Sequence, residues 1–200
     1  MKIVILGPDG AGKSSVIAGL VEELNSTGRA VNVRYLKPEI ILPRRKHTGV
    51  TNTDPHGKAP RSFLVSLAKI IAWLLEEWYA NLFTDKKKML LICDRYYHDL
   101  LVDPRRFRYK GPTWAAVLVG NMMPKPKLWV LLDAPAEILQ ARKQEVSVEE
   151  SSRQRRAYVD FARTQREHVI VDASQPLDKV VADVSNAISR VLLESEGDRG

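Results

Sequence analysis

The sequence predicts an α/β fold, a three-layer, doubly wound parallel sheet with flanking helices. Two observations carry that prediction. Short runs at 2–6, 89–93 and 128–132 are apolar on both faces, as strands buried inside a helix-covered parallel sheet must be. Segments of helical spacing alternate with them along the chain, the pattern of βαβ units.

The elements follow in order. Residues 2–6 are too short and too uniformly apolar for a helix, and a glycine ends them. From Ser14 to about Asn25 the spacing of Val16, Leu20, Val21 and Leu24 is helical, closed by Gly28. Residues 30–36 alternate through Val31, Val33 and Tyr35 as a second strand. Residues 37–61 hold four prolines and few large apolar groups, the composition of a long mobile surface loop. Residues 62–83 are strongly apolar, but Lys69, Glu76 and Glu77 interrupt them, which argues for a packed helix over a membrane span. The strand at 128–132 ends in Asp133, read as the cap of a helix beginning near Pro135. A charged helix at 149–165, a strand at 169–171 and a helix at 177–193 complete the domain. One domain is expected over 1–193, with 194–200 frayed.

The net charge of +7 favours anionic partners. Its carriers are scattered among residues 44–46, 86–88, 105–108 and 153–156, which suits solvated faces or one phosphate-rich cleft better than a nucleic-acid stripe. One cysteine, Cys93, excludes an internal disulfide framework, and no signal peptide is visible, so a cytoplasmic protein is expected. His47, His56, His98 and His168 are dispersed and no cysteine pair accompanies them, so no zinc site is expected.

The chemistry concentrates in Gly7-Pro-Asp9-Gly10-Ala11-Gly12-Lys13-Ser14-Ser15, a complete Walker A pattern between a strand and a helix. Glycines let backbone N–H groups turn toward phosphate oxygens, and the helix N-terminus adds partial positive charge. Lys13 reaches the β- and γ-phosphates of a nucleoside triphosphate, and Ser14 supplies an oxygen to Mg²⁺. A second metal anchor belongs at the end of a neighbouring strand. Asp94 and Asp133 both qualify by position, and Asp94 fits better, because Arg95 beside it can hold another phosphate. The loop itself contains no arginine, so transition-state cations must come from elsewhere. Arg153, Arg155 and Arg156, on a segment expected as a lid at 145–158, are the candidates.

Together with the loop, Asp94-Arg95-Tyr96, Leu132-Asp133-Ala-Pro135-Ala-Glu137, Val171-Asp172-Ala173-Ser174-Gln175-Pro176-Leu177 and Arg153-x-Arg155-x-x-Tyr158 resemble the ordered landmarks of thymidylate kinases. The resemblance implies a P-loop NTPase fold with a short arginine-bearing lid. It also implies transfer of a phosphoryl group from ATP, with Mg²⁺, to a nucleoside monophosphate. Arg95 would clamp the acceptor phosphate with Tyr96 beside it. Arg153, Arg155 and Arg156 would be lid arginines, Arg142 and Ala173–Gln175 would flank adenine, and Asp9 would face the acceptor's sugar or a metal-bound water. Two stretches depart from the family's pattern. The helix before the Asp94-Arg95 strand lacks the base-reading arginine, reading Ala68-Lys-Ile-Ile-Ala-Trp-Leu-Leu75. After Tyr96 the chain carries Asp103-Pro-Arg105-Arg106-Phe-Arg108-Tyr109, arginines that suit a more highly charged acceptor or a sugar phosphate.

Two rivals are weaker. A GTP switch needs an Asn-Lys-x-Asp guanine reader, which the sequence lacks, and Asp54-Pro-His-Gly57 follows no apolar strand. A basic nucleic-acid binder leaves Lys13, Ser14 and Asp94 without a purpose. The expected partners are therefore ATP and a phosphorylated small molecule, with no nucleic acid and no membrane. A homodimer stays open.

Overall fold

The computed structural model describes residues 1–35, 62–83, 89–144 and 146–197. The expected loop at 37–61, the basic clusters at 44–46 and 86–88, and Asp54–Gly57 lie outside the described residues. The chain divides into two compact units. One holds the described residues of 1–35, 89–96 and 126–197, the other those of 62–83 and 97–125.

The first unit contains a five-stranded, wholly parallel sheet in the order β2-β3-β1-β4-β5. Its strands are β1 (Lys2–Leu6), β2 (Val31–Tyr35), β3 (Leu90–Asp94), β4 (Leu128–Asp133) and β5 (His168–Asp172). The most apolar runs take the central places, where both faces are covered. Ile3, Val4, Ile5 and Leu6 of β1 are at most 1% exposed. The alternating segment at 30–36 becomes the edge strand β2, and the short run at 169–171 becomes the other edge, β5.

Alternate residues face opposite layers. Ile3, Ile5, Ile92, Val130 and Leu132 join one core with Val16, Leu20 and Leu24 of α1 (Lys13–Ser26) and Val180, Val184 and Ile188 of α7 (Leu177–Gly197). Each helix contributes residues at i, i+4 and i+8, a single buried stripe. Trp129 points the other way, edge-on to Phe161 of α6 (Val148–Arg163) with ring centres 5.1 Å apart. The α/β reading is correct, and helix α7 runs on into the stretch expected to fray. β1 lies between β3 and β4, where chain order reverses, so the strands' carboxyl ends there open the crevice in which such sheets bind ligands.

The second unit is built on α2 (Phe63–Phe83), α3 (Asp99–Val102) and α4 (Thr113–Met122), the last two not expected from sequence. Trp73 of α2 is buried edge-on against Tyr97 and Phe107, and the Tyr97 hydroxyl donates to the Ala116 carbonyl at 3.0 Å. Burial, and then Tyr109 nearby, push the Tyr97 phenol well above its ordinary range. The same helix leaves Leu64, Ile71, Leu75, Trp78 and Leu82 exposed. No helix among the described residues is long and apolar enough to cross a membrane.

Candidate active site

β1 ends at Leu6 and the chain turns at once through Gly7–Gly12 into α1. Two glycines are required by this path. Gly7 has φ 150°, and a Cβ there would lie 2.6 Å from the Leu132 carbonyl oxygen. Gly10 has φ 86°, and a Cβ would collide with the Leu139 backbone. Gly12 takes the left-handed N-cap position of α1, whose first turn carries no acidic side chain. Lys13 is buried, and its ammonium reaches back over the loop to donate to the carbonyls of Gly7 (2.7 Å) and Pro8 (2.8 Å). Ser14 and Ser15 are exposed at the helix start.

Register places the second cluster. Ile5 of β1 pairs with Asp94 of β3, which sets the Asp94 carboxylate at a strand end one rung from the loop. Arg95 follows in the left-handed region (φ 71°), its N–H donating to Ile5 O at 3.1 Å. That turn sends its guanidinium to Asp9, Nη2 to Oδ1 at 2.6 Å, in an ion pair that is 14% and 7% exposed on its two sides. Arg95 Nη1 also donates to the Tyr158 hydroxyl at 3.4 Å. Asp9 is therefore the partner of the very arginine read from sequence as an acceptor clamp. Tyr96 is buried in the sheet core, edge-on to Trp129, with Lys2 Nζ 5.0 Å over its ring.

The charged helix begins at Val148 because Ser147 caps it, its Oγ accepting from Glu150 N at 3.2 Å, the serine-to-glutamate spacing of a capping box. Helical spacing then separates the three arginines. Arg153 pairs with Glu150 on an exposed face (2.6 and 2.8 Å). Arg155 donates to both oxygens of Asp133, Nε to Oδ1 at 2.7 Å and Nη2 to Oδ2 at 2.9 Å, which raises the arginine's pKa. Arg156 borders a groove of about 350 Å³ lined also by Ser152, Val159, Asp160 and Arg163.

This corrects the expectation for Asp133. Pro135 occupies the N-cap of α5 (Ala136–Arg142) with no side-chain cap, and the Asp133 carboxylate serves Arg155 instead. At the next strand end, Asp172 accepts from Ser174 N (2.9 Å), Ser174 Oγ (2.5 Å) and Gln175 Nε2 (3.4 Å), bonds that lower its pKa and fix the turn. Arg142 Nη1 donates to the Ala173 carbonyl at 2.7 Å, so the two sides of the expected adenine site do meet.

Arg105, Arg106 and Arg108 belong to the second unit. Asp103 accepts from Arg106 N at 3.1 Å, Arg105 O accepts from Arg108 N at 2.8 Å, and Arg108 is left-handed (φ 54°). Sequence reasoning missed two supporting residues, Asp133 as an arginine anchor and Lys69, whose Nζ donates to Phe107 O at 2.9 Å. Only the placement of Asp133 at a strand end hinted at the first. The Ser147–Glu150 box was the signal for the true start of α6.

A glycine loop at the reversal point of a parallel sheet, closed over by a buried lysine and flanked by an arginine-bearing helix, defines a P-loop kinase, a phosphotransferase. The family model for thymidylate kinase matches residues 5–184, and the chain belongs to that family. Its members move a phosphoryl group from ATP to a nucleoside monophosphate.

Proposed function

We propose that this protein transfers the γ-phosphoryl of ATP, with Mg²⁺, to a nucleoside monophosphate of the thymidylate kind. The observation that carries the reading is Arg95, a guanidinium turned by a left-handed backbone onto the phosphate loop, 2.6 Å from Asp9. A cation held there can bind an acceptor phosphate within reach of the donor. In this reading Gly7 and Gly10 to Ser15 cradle the ATP phosphates, and Lys13 turns from the loop carbonyls to the β- and γ-oxygens. The Ser14 hydroxyl and Asp94 carboxylate form an all-oxygen donor pair of the kind Mg²⁺ accepts, since that ion keeps few protein ligands beside phosphate and water. When bound, it would neutralise phosphate charge. Arg153, Arg155 and Arg156 supply cations to the transferring group, Arg142 and Ala173–Gln175 flank the base of ATP, and Tyr96 steadies the strand end that carries Arg95.

Arg105, Arg106 and Arg108 support a second reading, the same chemistry on a more anionic acceptor such as a sugar phosphate. Their loop is held by backbone bonds to Asp103 and Arg105 rather than left open. One experiment separates the two: incubation with Mg·ATP and a panel of nucleoside monophosphates and sugar phosphates, following ADP release. The highest kcat/KM with thymidine 5′-monophosphate is expected; turnover of a sugar phosphate with none of that nucleotide would transfer the assignment to the second reading. Charge reversal at Arg105 and Arg106 should raise acceptor KM far more than ATP KM.

The uncharged, exposed stripe on α2 supports a homodimer as the working form.

A further inference from the structure

We propose that Lys69 is a positioning residue, a brace on α2 that holds the arginine loop 103–109 ready for the acceptor; the second half of this rests on the reading of that loop as an acceptor contact. Ser66, Lys69 and Trp73 follow one another at i, i+3 and i+7, one face of the helix. All three engage the loop or its exit. Ser66 Oγ accepts from Lys110 N at 3.0 Å. Lys69 Nζ donates to Phe107 O at 2.9 Å, while lying 4.6 Å from the Trp73 ring centre and 5.6 Å from that of Phe107. Trp73 and Phe107 meet edge-on, centres 5.6 Å apart at 82°.

The loop needs such a brace. Three arginines in four residues repel one another, and the segment belongs to no helix or strand that would satisfy its backbone. Its own bonds are short-range: Arg106 N to Asp103 Oδ1, Arg108 N to Arg105 O, Tyr109 N to Pro104 O, and Tyr109 OH to Pro112 O. These set a turn. The Lys69 and Ser66 bonds tie it to α2, at either side of the left-handed Arg108. An ammonium wedged between two aromatic rings and one carbonyl uses its charge and its donor together, which neither a thioether nor an amide can copy. A loop ordered in advance spares the acceptor the entropy of ordering it.

The departure from the family pattern at Ala68–Leu75 gains a purpose. The cation on this face turns to the loop's own carbonyl.

The test compares Lys69→Met with the natural chain by two independent readouts. Hydrogen exchange, read by mass spectrometry on peptides spanning 103–110, reports the brace without any substrate. Roughly tenfold faster exchange is expected there, against unchanged exchange in β4, for the loss of one hydrogen bond and two cation–π contacts. Steady-state kinetics should show acceptor KM raised by a similar factor with ATP KM unchanged, using the acceptor of highest kcat/KM in the panel. Lys69→Arg, which keeps the charge, should recover part of both. Unchanged exchange in Lys69→Met overturns the brace. Faster exchange with unaltered acceptor KM overturns the loop's part in acceptor binding and leaves the kinase reading intact. If the methionine variant fails to fold, Lys69→Gln, which keeps a donor and loses the charge, must still speed exchange over 103–110 and raise acceptor KM; no change in exchange there would equally defeat the proposal.

Discussion

Asp133 sits where β4 ends and gives both carboxylate oxygens to Arg155, so it fixes the direction of one arginine on a helix that otherwise points its cations outward. Because the Arg155 side chain is 40% exposed, solvent screens the pair and its stability contribution stays near 1 kcal/mol. Its value lies in aim. Asp133→Asn keeps an acceptor but loses the charge and the fork; we expect kcat to fall about tenfold while the thermal midpoint moves only a few degrees. Full kcat in that variant would remove Arg155 from the mechanism. Lys13 differs, since it is only 8% exposed and its ammonium lies over the phosphate loop. Lys13→Ala should lower kcat by at least roughly 100-fold with the fold retained by circular dichroism, a loss on the scale of removing a transition-state donor.

The loop–helix junction at His98 shows how burial is felt by a whole element. His98 precedes α3, is 9% exposed, and has its pKa lowered to about 4, first by burial, with Asp99 and the Gly120 backbone bond opposing and Lys125 assisting. The folded state therefore prefers the neutral ring. Above the unfolded value of about 6.5 no penalty exists, and stability is lost as pH falls from there toward 4, by on the order of 3 kcal/mol. Urea unfolding between pH 4 and 7 should show this slope, and His98→Gln should flatten it; an equal slope in both would assign the acid sensitivity elsewhere. Elements differ in how clearly the sequence announces them. β1, β3 and β4 were legible as uniformly apolar runs, and α1 and α7 as single stripes, because burial imposes a period. α3 is four residues long, too short for any period to register, and α4 (TWAAVLVGNM) is apolar nearly all round, so only Pro112 before it marked a start. The site divides in the same way. Strand ends and the glycine loop are local features, whereas Asp9 with Arg95, Asp133 with Arg155 and Arg142 with Ala173 are pairings across 86, 22 and 31 residues. Spacing names the candidates for such pairs. Only register and backbone turns select among them.

The whole molecule carries +7, so two copies repel unless they meet on a face without charge. α2 offers one. Leu64, Ala68, Ile71, Leu75, Trp78 and Leu82 recur at alternating steps of four and three, the seam that packs against another helix, and the flanking Val65, Leu67, Ala72, Leu74 and Tyr79 are uncharged. Leu64 is 74% exposed, Leu75 60% and Leu82 69%, while α4 adds Trp114, Leu118 and Met122. Trp78 ties the two helices together by donating from Nε1 to Met122 O at 3.0 Å. In a two-fold dimer the same seam faces itself, so one substitution acts twice. Leu75→Glu would bring two carboxylates together in a desolvated stripe, a change worth at least a 100-fold loss of affinity. By light scattering at low micromolar concentration, the natural chain should have twice the 22.6 kDa chain mass and the glutamate variant 22.6 kDa. A natural chain that already scatters as a monomer would overturn the dimer. Since Leu75 lies on the exposed face of α2, kcat of the variant should change only if pairing supports the catalytic unit, which makes its activity a direct measure of whether the dimer matters to the reaction.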